Sequence, residues 1–479
     1  MRLTTRQPAA WLLAVGMFVF SGAAMATNGY FTHGVGAQSK GMAGTGVGSN
    51  ADMGIIMGAS NPALTVFAGE DWEAGISIFS PRRSYTASAS TNNGFGGTFS
   101  LGGGAFDSSS EYFPIPYVAK SWKMANDNVL SLLFYGRGGM NTDWDDLTTS
   151  ATSQLCDFAG GGASVVTDSG PYCSGKAGVD LSQAFLTINY AGKTSDKFAW
   201  GIGPIFAFQS FEANGVISYT PFTQTFADAF LVNGMGAPAS NLSNNGHDTS
   251  VGWGIAGGIW AGLSDTFSVG LAYQSKISMG EFDDYADLFA ERGDFDIPSS
   301  IKAGASFLVN DMLRVNFDIE HIAYTDVKSV SNPLANFFTG CITANPGLAP
   351  ATPTGNCLGG PNGAGFGWED MTAYKLGFEW QRDESNTWRF GYSYGEQPIP
   401  AADVVFNILA PGVMEQHITV GWTHQRSNGH ALTLSFMYAP QVKVTGPNVF
   451  DQTPAAPTTP PQTIILKMQQ FEFEVGYSF

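Results

Sequence analysis

Hydrophobic and polar positions alternate with a period of two along most of the chain. In 313–325, Leu313, Val315, Phe317 and Ile319 share one face, and Arg314, Asn316, Asp318 and Glu320 the other. Tyr374, Leu376, Phe378 and Trp380 are separated by Lys375, Gly377 and Glu379. At the C-terminus Phe471, Phe473, Val475, Tyr477 and Phe479 alternate with Glu472, Glu474, Gly476 and Ser478. Alternation at 180° per residue is a strand with one apolar and one polar face. The pattern predicts fourteen strands: 72–80, 112–122, 129–141, 179–190, 198–218, 251–263, 267–278, 299–309, 313–325, 372–381, 387–394, 416–424, 431–444 and 463–479.

The connections alternate in length. Short polar turns (123–128, 191–197, 264–266, 310–312, 382–386, 425–430) are interleaved with long loops such as 142–178, 219–250, 279–298 and 326–371. Short turns at one rim and long loops at the other mark an outer-membrane barrel, with the turns periplasmic and the loops extracellular. A soluble β-sandwich would bury its apolar faces. Here they are rich in Trp, Phe and Tyr near strand ends, which suits lipid contact and aromatic girdles. Lipid offers no partner to backbone polar groups, so the sheet must close. The expected fold is all-β: a 14-stranded antiparallel transmembrane barrel.

Composition agrees. Of 479 residues only 13% are charged and 60 are Gly, against typical shares of about 25% and about 7%. The net charge of -18 has the wrong sign for non-specific nucleic-acid binding. Arg2 and Arg6, the apolar run 9–20 and Ala24-Met25-Ala26 form a secretory leader over residues 1–26. Beyond it no window of 18 apolar residues occurs, which excludes membrane-spanning helices. The four cysteines fall in two local pairs, Cys156 with Cys173 and Cys341 with Cys357, without zinc spacing. In an exported chain they read as two short-range disulfides within loops. The six histidines show no ligand spacing, so no metal or cofactor is expected. Residues 281–284 are acidic, either a solvated loop or a cation contact.

Residues 27–67 do not alternate and are rich in Gly, Ala and Ser. Small residues permit tight packing and unusual backbone angles, as expected of a plug inside a barrel. This segment resembles the N-terminal hatch of the outer-membrane long-chain fatty acid and hydrocarbon transporter family (FadL/TodX type). The matching pieces are SKGMAGTGVG at 39–48 and the Asn61-Pro62-Ala63 triplet. The stretch 395–424 resembles the family's eleventh and twelfth strands, and fourteen is its strand count. The resemblance implies three units: leader 1–26, hatch 27–67 and barrel 68–479. It also implies passive uptake of a hydrophobic small molecule. The ligand is caught in a groove between extracellular loops and held in a lumenal pocket. It leaves through the wall at a kink in the third strand, under control of the hatch.

Several residues fit these parts. Gly136, Gly138 and Gly139 cluster in the third strand, where a bulge or bend is expected. Phe222, Phe226, Phe230 and Leu231 make one helical stripe, and Phe282, Tyr285, Leu288 and Phe289 a second; facing each other, they would form the groove. Phe479 resembles the terminal aromatic signal read by the outer-membrane assembly machinery. Lipid and lipopolysaccharide are further expected partners of a monomer. Family members that take fatty acids place a base on the fifth strand. Here 198–218 has no Lys or Arg and carries Glu212, which favours neutral apolar ligands, with long-chain fatty acids a close second. Gly391-x-Ser393-x-Gly395 matches a nucleophile-elbow pattern but lacks the following helix. An outer-membrane lipase or protease and a structural or adhesin-like porin are the alternatives.

Overall fold

The computed structural model describes residues 27–90, 101–144, 170–172, 174–341, 355–451 and 460–479. The expected leader lies outside these. So does the expected disulfide between Cys156 and Cys173: neither Cys156 nor Cys173 is among the described residues. Fourteen long strands stand among the described residues: β1 (Trp72–Ala87), β2 (Phe113–Lys123), β3 (Val129–Asn141), β4 (Gly178–Ser195), β5 (Phe198–Asn214), β6 (Asp248–Gly262), β7 (Phe267–Gln274), β8 (Ser300–Asn310), β9 (Leu313–Ile322), β10 (Met371–Gln381), β11 (Asn386–Gly395), β12 (Gln416–Gln425), β13 (Ala431–Pro447) and β14 (Thr463–Ser478). Each pairs antiparallel with its chain neighbours. β14 returns to β1, from Ile464↔Ala87 to Ser478↔Glu73, and closes the ring.

Closure explains the alternation. Ile76, Ile78, Phe206, Trp253, Phe317, Phe378, Tyr392 and Phe473 are exposed on the outer face. Glu73, Asn189, Asp318, Glu320, Lys375, Glu472 and Glu474 are buried on the inner one. This inverts the soluble arrangement and suits a lipid-facing wall. No described helix is long and apolar enough to cross a membrane. Strand ends shift for local reasons. β1 runs past Ser80 because β14 keeps pairing with it. β5 stops before Ser218 because Gly215 turns to a φ of 71°. β7 stops at Gln274, and Ser278–Met279 resumes the ladder with β6.

The turn rim carries Trp72, Trp122, Trp380, Trp388 and Trp422 at or near strand ends. Phe479 sits there too: its N–H donates to the Trp72 carbonyl at 2.9 Å, and its ring meets His430 and Tyr477. At the opposite rim, Tyr219, Phe222, Phe337, Phe406 and Phe450 from different loops form an aromatic cluster.

Lumen, wall opening and candidate ligand path

Residues 27–67 bond to inward-facing groups around the ring. Asn61 is wholly buried; its Nδ2 donates to the carbonyls of Val47 (3.0 Å) and of Ile259 in β6 (3.1 Å). Its Oδ1 accepts from Ala63 N–H at 3.0 Å, capping the short helix Pro62–Phe67. Pro at the first position of that helix needs no N–H partner. Asp318 of β9 accepts from the N–H groups of Gly46 and Val47. Asn189 of β4 donates to Gly58, and Trp260 and Ser268 donate to Gly48. Lys40 bridges Glu472 and Glu474 of β14. Small residues make this approach possible. A Cβ on Gly48 would lie 2.6 Å from the Gly304 carbonyl oxygen in the wall. Gly44 holds a φ of 84°, and a Cβ there would strike the His33 carbonyl.

Among the described residues the densest charge centre is Glu320 of β9. It faces Lys375 (2.6 Å), Arg137 (3.2 Å) and Lys302 (3.4 Å), all four within the lumen. Lys375 also donates to the His33 carbonyl, and Arg137 to Thr32, so this centre ties the N-terminal segment to the wall. Arg314 and Arg389 share Glu379. The inward-facing wall bases Lys302, Arg314 and Lys375 are thus all engaged by wall carboxylates.

The ladder between β2 and β3 runs only from Lys123↔Val129 to Tyr117↔Tyr135. Beyond that point Gly136–Asn141 and Phe113–Pro116 do not pair across the gap. Two causes meet here. Ser121 N–H donates to Asp71 on the β1 side and Met124 N–H to Asn128 on the β3 side, so even-numbered positions of β2 point at β3. Pro114 and Pro116 occupy those positions and have no N–H to give. On β3 the register with β4 shifts between Gly136 and Gly138, leaving Arg137 as the bulged residue. The free edge of β3 is taken instead by the N-terminal segment: Phe31 bridges Gly138, and Gly139 N–H donates to the Tyr30 carbonyl at 3.1 Å. Arg137 lies over the Phe31 ring at 4.3 Å. A small cavity lined by Val35, Ile115, Pro116, Tyr135 and Gly136 adjoins the gap.

The two aromatic stripes are not brought face to face. Phe226 and Phe230 stack on each other in the helix Gln224–Asn233, where Leu231 is exposed. Phe222 instead joins the rim cluster with Phe337 and Phe450. Phe282, Tyr285, Leu288 and Phe289 are buried, the three rings around Phe211 of β5. Only Asp283–Tyr285 turn helically there, as one short 3-10 turn, so these apolar residues point at the wall rather than along one helical face. The loops meet through polar groups, with Thr225 donating to Asp287, which also pairs with Arg292. Of the two expected disulfides, the one between Cys341 and Cys357 is formed, beside Phe222. The other does not figure among the described disulfides, because Cys156 and Cys173 both fall outside the described residues. In the loop after β11, Asp403 accepts from Leu334 N–H at 2.7 Å, yet burial pushes its carboxyl up to about 6.

Ser393 Oγ lies 2.9 Å from His417 Nδ1, and His417 stacks on His33. Ser393 and His417 belong to paired wall strands, not to a strand-to-helix elbow, so the G-x-S-x-G match serves the lumen. The prolines of β2, Arg137 and the Glu320 centre went unread in the sequence. Two prolines at i and i+2 in an alternating strand were the available signal.

The family model for the outer membrane protein transport protein group (OMPP1/FadL/TodX) matches residues 17–445. No curated protein matches the chain. The fold is similar to the Pseudomonas putida toluene transporter TodX, with a TM-score of 0.61, 16% identity and coverage of 93% of this chain and 98% of that one. It is also similar to the Ralstonia pickettii toluene transporter TbuX (TM-score 0.54, 15% identity, 93% and 98% covered). A Pseudomonas aeruginosa FadL homologue gives a TM-score of 0.58 at 14% identity, covering 94% and 99%. An outward apolar wall, a buried N-terminal segment and a match over nearly the whole chain have one reading: this protein belongs to the OMPP1/FadL/TodX family of bacterial outer-membrane transport proteins.

Proposed function

We propose that this outer-membrane transporter of hydrophobic compounds works by passive diffusion, as a monomer, with residues 27–67 acting as a hatch. The exposed apolar end of the helix Gln224–Asn233, including Leu231 and Val232, offers first contact to the ligand. Phe222, Phe226 and Phe230 lead towards the rim cluster, and the buried Phe282, Tyr285, Leu288 and Phe289 support that path from the wall. The ligand leaves sideways between β2 and β3. Lateral exit spares an apolar compound re-exposure to water, about 0.8 kcal/mol per CH₂.

The carrying observation is the unpaired edge of β3 at Gly136–Asn141, where Gly138 and Gly139 pair with Phe31 and Tyr30 in place of β2. Moving a few hatch residues opens the wall there without breaking another barrel ladder. With Lys302, Arg314 and Lys375 engaged, the main path recognises apolar bodies, as in neutral aliphatic or aromatic hydrocarbons; long-chain fatty acids are the second reading. The test restores the missing donors with Pro114→Thr and Pro116→Val, letting the β2–β3 ladder extend. Uptake of a labelled hydrocarbon by cells carrying the variant should fall several-fold at unchanged barrel levels. Uptake at the wild-type rate, with the longer ladder shown by protection of the new N–H groups from exchange, would place the exit elsewhere.

A further inference from the structure

The outer wall carries a cluster of bases at its loop-rim end. Lys443 of β13 and Lys467 of β14 stand directly opposite each other, and Lys467 is opposite Ser84 of β1. Leu466 and Met468 are buried on the inner side, so alternation turns Lys467 outward, and directly opposed residues share its face. A bulge makes the match with β13. Between Ala439 and Val442 two residues of β13 face one of β14. This turns Val442 and Val444 towards the core and Lys443 to the outside. Arg82 lies two positions from Ser84, on the same outward face.

A tilted strand crosses the apolar layer in about 9–11 residues. Counted from Trp72, Ala431 and Ser478 at the turn rim, that span ends near Arg82, Gln441 and Met468. Within it the wall is apolar, with Ile76, Ile78, Phe436 and Phe473 exposed. Tyr438 stacks on Phe471 at 5.3 Å as a boundary pair. The three bases therefore stand at head-group level, on the side of the long loops. Arg82 donates to Tyr112 at 2.6 Å and pairs with Glu111. Lys467 donates to Thr86 at 3.2 Å and Lys443 is exposed; neither forms an ion pair with a described carboxylate. Asp107 shares their face but lies beyond Ser84, about 10 Å from Lys467 by the spacing of strands. Like charges directly opposite in a sheet repel, and an anion between the two lysines relieves them.

We propose that Lys443 and Lys467, flanked by Arg82, bind a phosphate of lipopolysaccharide, the phosphorylated glycolipid of the outer leaflet. Compact ammonium groups suit phosphate oxygens, and bases at head-group level recruit anionic lipid. Charge complementarity selects the occupant. The chain as a whole carries a net charge of -18, yet this stretch of wall presents bases to the membrane just where the apolar layer ends. The site lies on the outside of the ring, so it stands apart from the path of the transported compound.

The test uses the full-length protein in detergent and native mass spectrometry. The probes are bisphosphorylated lipid A, its dephosphorylated form and phosphatidylglycerol. Lys443→Gln combined with Lys467→Gln should weaken lipid A binding roughly tenfold or more, at about fivefold for each base, and leave the dephosphorylated lipid within about twofold. Lys443→Arg combined with Lys467→Arg keeps the charge and should bind lipid A within about twofold of the wild type. Heat-shifted gel mobility reports folding, and Lys443→Gln alone, at an exposed position, carries the comparison if the double variant does not assemble. No lipid A binding to the wild type, equal losses for both forms of the lipid, unchanged affinity in the Gln variant, or a loss in the Arg variant as large as in the Gln variant would each overturn the assignment. Phosphatidylglycerol bound as tightly as lipid A, and lost with the same lysines, would overturn the choice of lipopolysaccharide.

Discussion

Glu320→Gln probes how residues 27–67, the proposed hatch, are held. The carboxylate faces three cations at 2.6, 3.2 and 3.4 Å. At an effective dielectric of about 20, each pair near 3 Å carries about 5 kcal/mol of Coulomb attraction. Desolvation offsets most of that, and measured losses on removing one partner of a buried pair are about 3–5 kcal/mol. The three pairs share one acid, so the losses do not add; about 4 kcal/mol is expected for the whole centre. Gln keeps the shape but leaves Lys375, Arg137 and Lys302 facing one another unneutralised. The strand ladders are untouched, so the ring should persist. The cost should fall on the contacts through which Lys375 and Arg137 hold His33 and Thr32. Expected results are a lower unfolding midpoint, protease cleavage within residues 27–67 of the folded barrel, and higher ion conductance in planar bilayers. Glu320→Gln combined with Lys375→Met should recover part of the loss by removing an unpaired charge. A single variant with a protected N-terminal segment and wild-type midpoint would refute the view that this centre holds the hatch.

Asn61→Ala removes three buried hydrogen bonds, one of them to the wall at Ile259. Leaving their partners unsatisfied costs about 1–3 kcal/mol each, so hydrocarbon uptake should change while barrel yield does not; unaltered uptake kinetics would reduce Asn61 to packing. Deleting Phe479 takes away a rim ring and the N–H that bonds to Trp72. Membrane levels of the truncated protein should drop, with near-normal uptake per assembled barrel, and wild-type levels on immunoblots would count against an assembly role. Peptide mapping without reduction should show Cys156 linked to Cys173 within its own loop, as Cys341 is to Cys357; a free thiol at Cys173, or a link from it to either of the other two, would overturn the local pairing.

The alternation of apolar and polar residues determined the barrel by itself. A period of two admits only strands, and outward apolar faces in so many strands require a lipid surround and a closed ring. All fourteen strands were legible for that reason, and their ends were not. Where β5 stops depends on the φ of Gly215, and how far β1 runs depends on its partner β14. The glycine cluster of β3 announced a bend, but the gap it serves needed Pro114 and Pro116 on the neighbouring strand. Whether their missing N–H groups matter depends on which neighbour they face, and that is a property of the register. The loop stripes misled because periodicity describes one segment at a time. Phe282 and Phe289 met Phe211 of the wall instead of Phe226 across the loops. The pairing of charges was likewise decided in three dimensions. Arg314 and Asp318 share a strand face, yet Arg314 reaches Glu379 while Asp318 holds the N–H groups of Gly46 and Val47. Strand register sets Lys302 opposite Glu320 and Lys375 diagonally across from it; only closure of the ring brings Arg137 of β3 to the same carboxylate, because ion pairs form between side chains that the lumen brings within about 4 Å, whatever their separation in sequence.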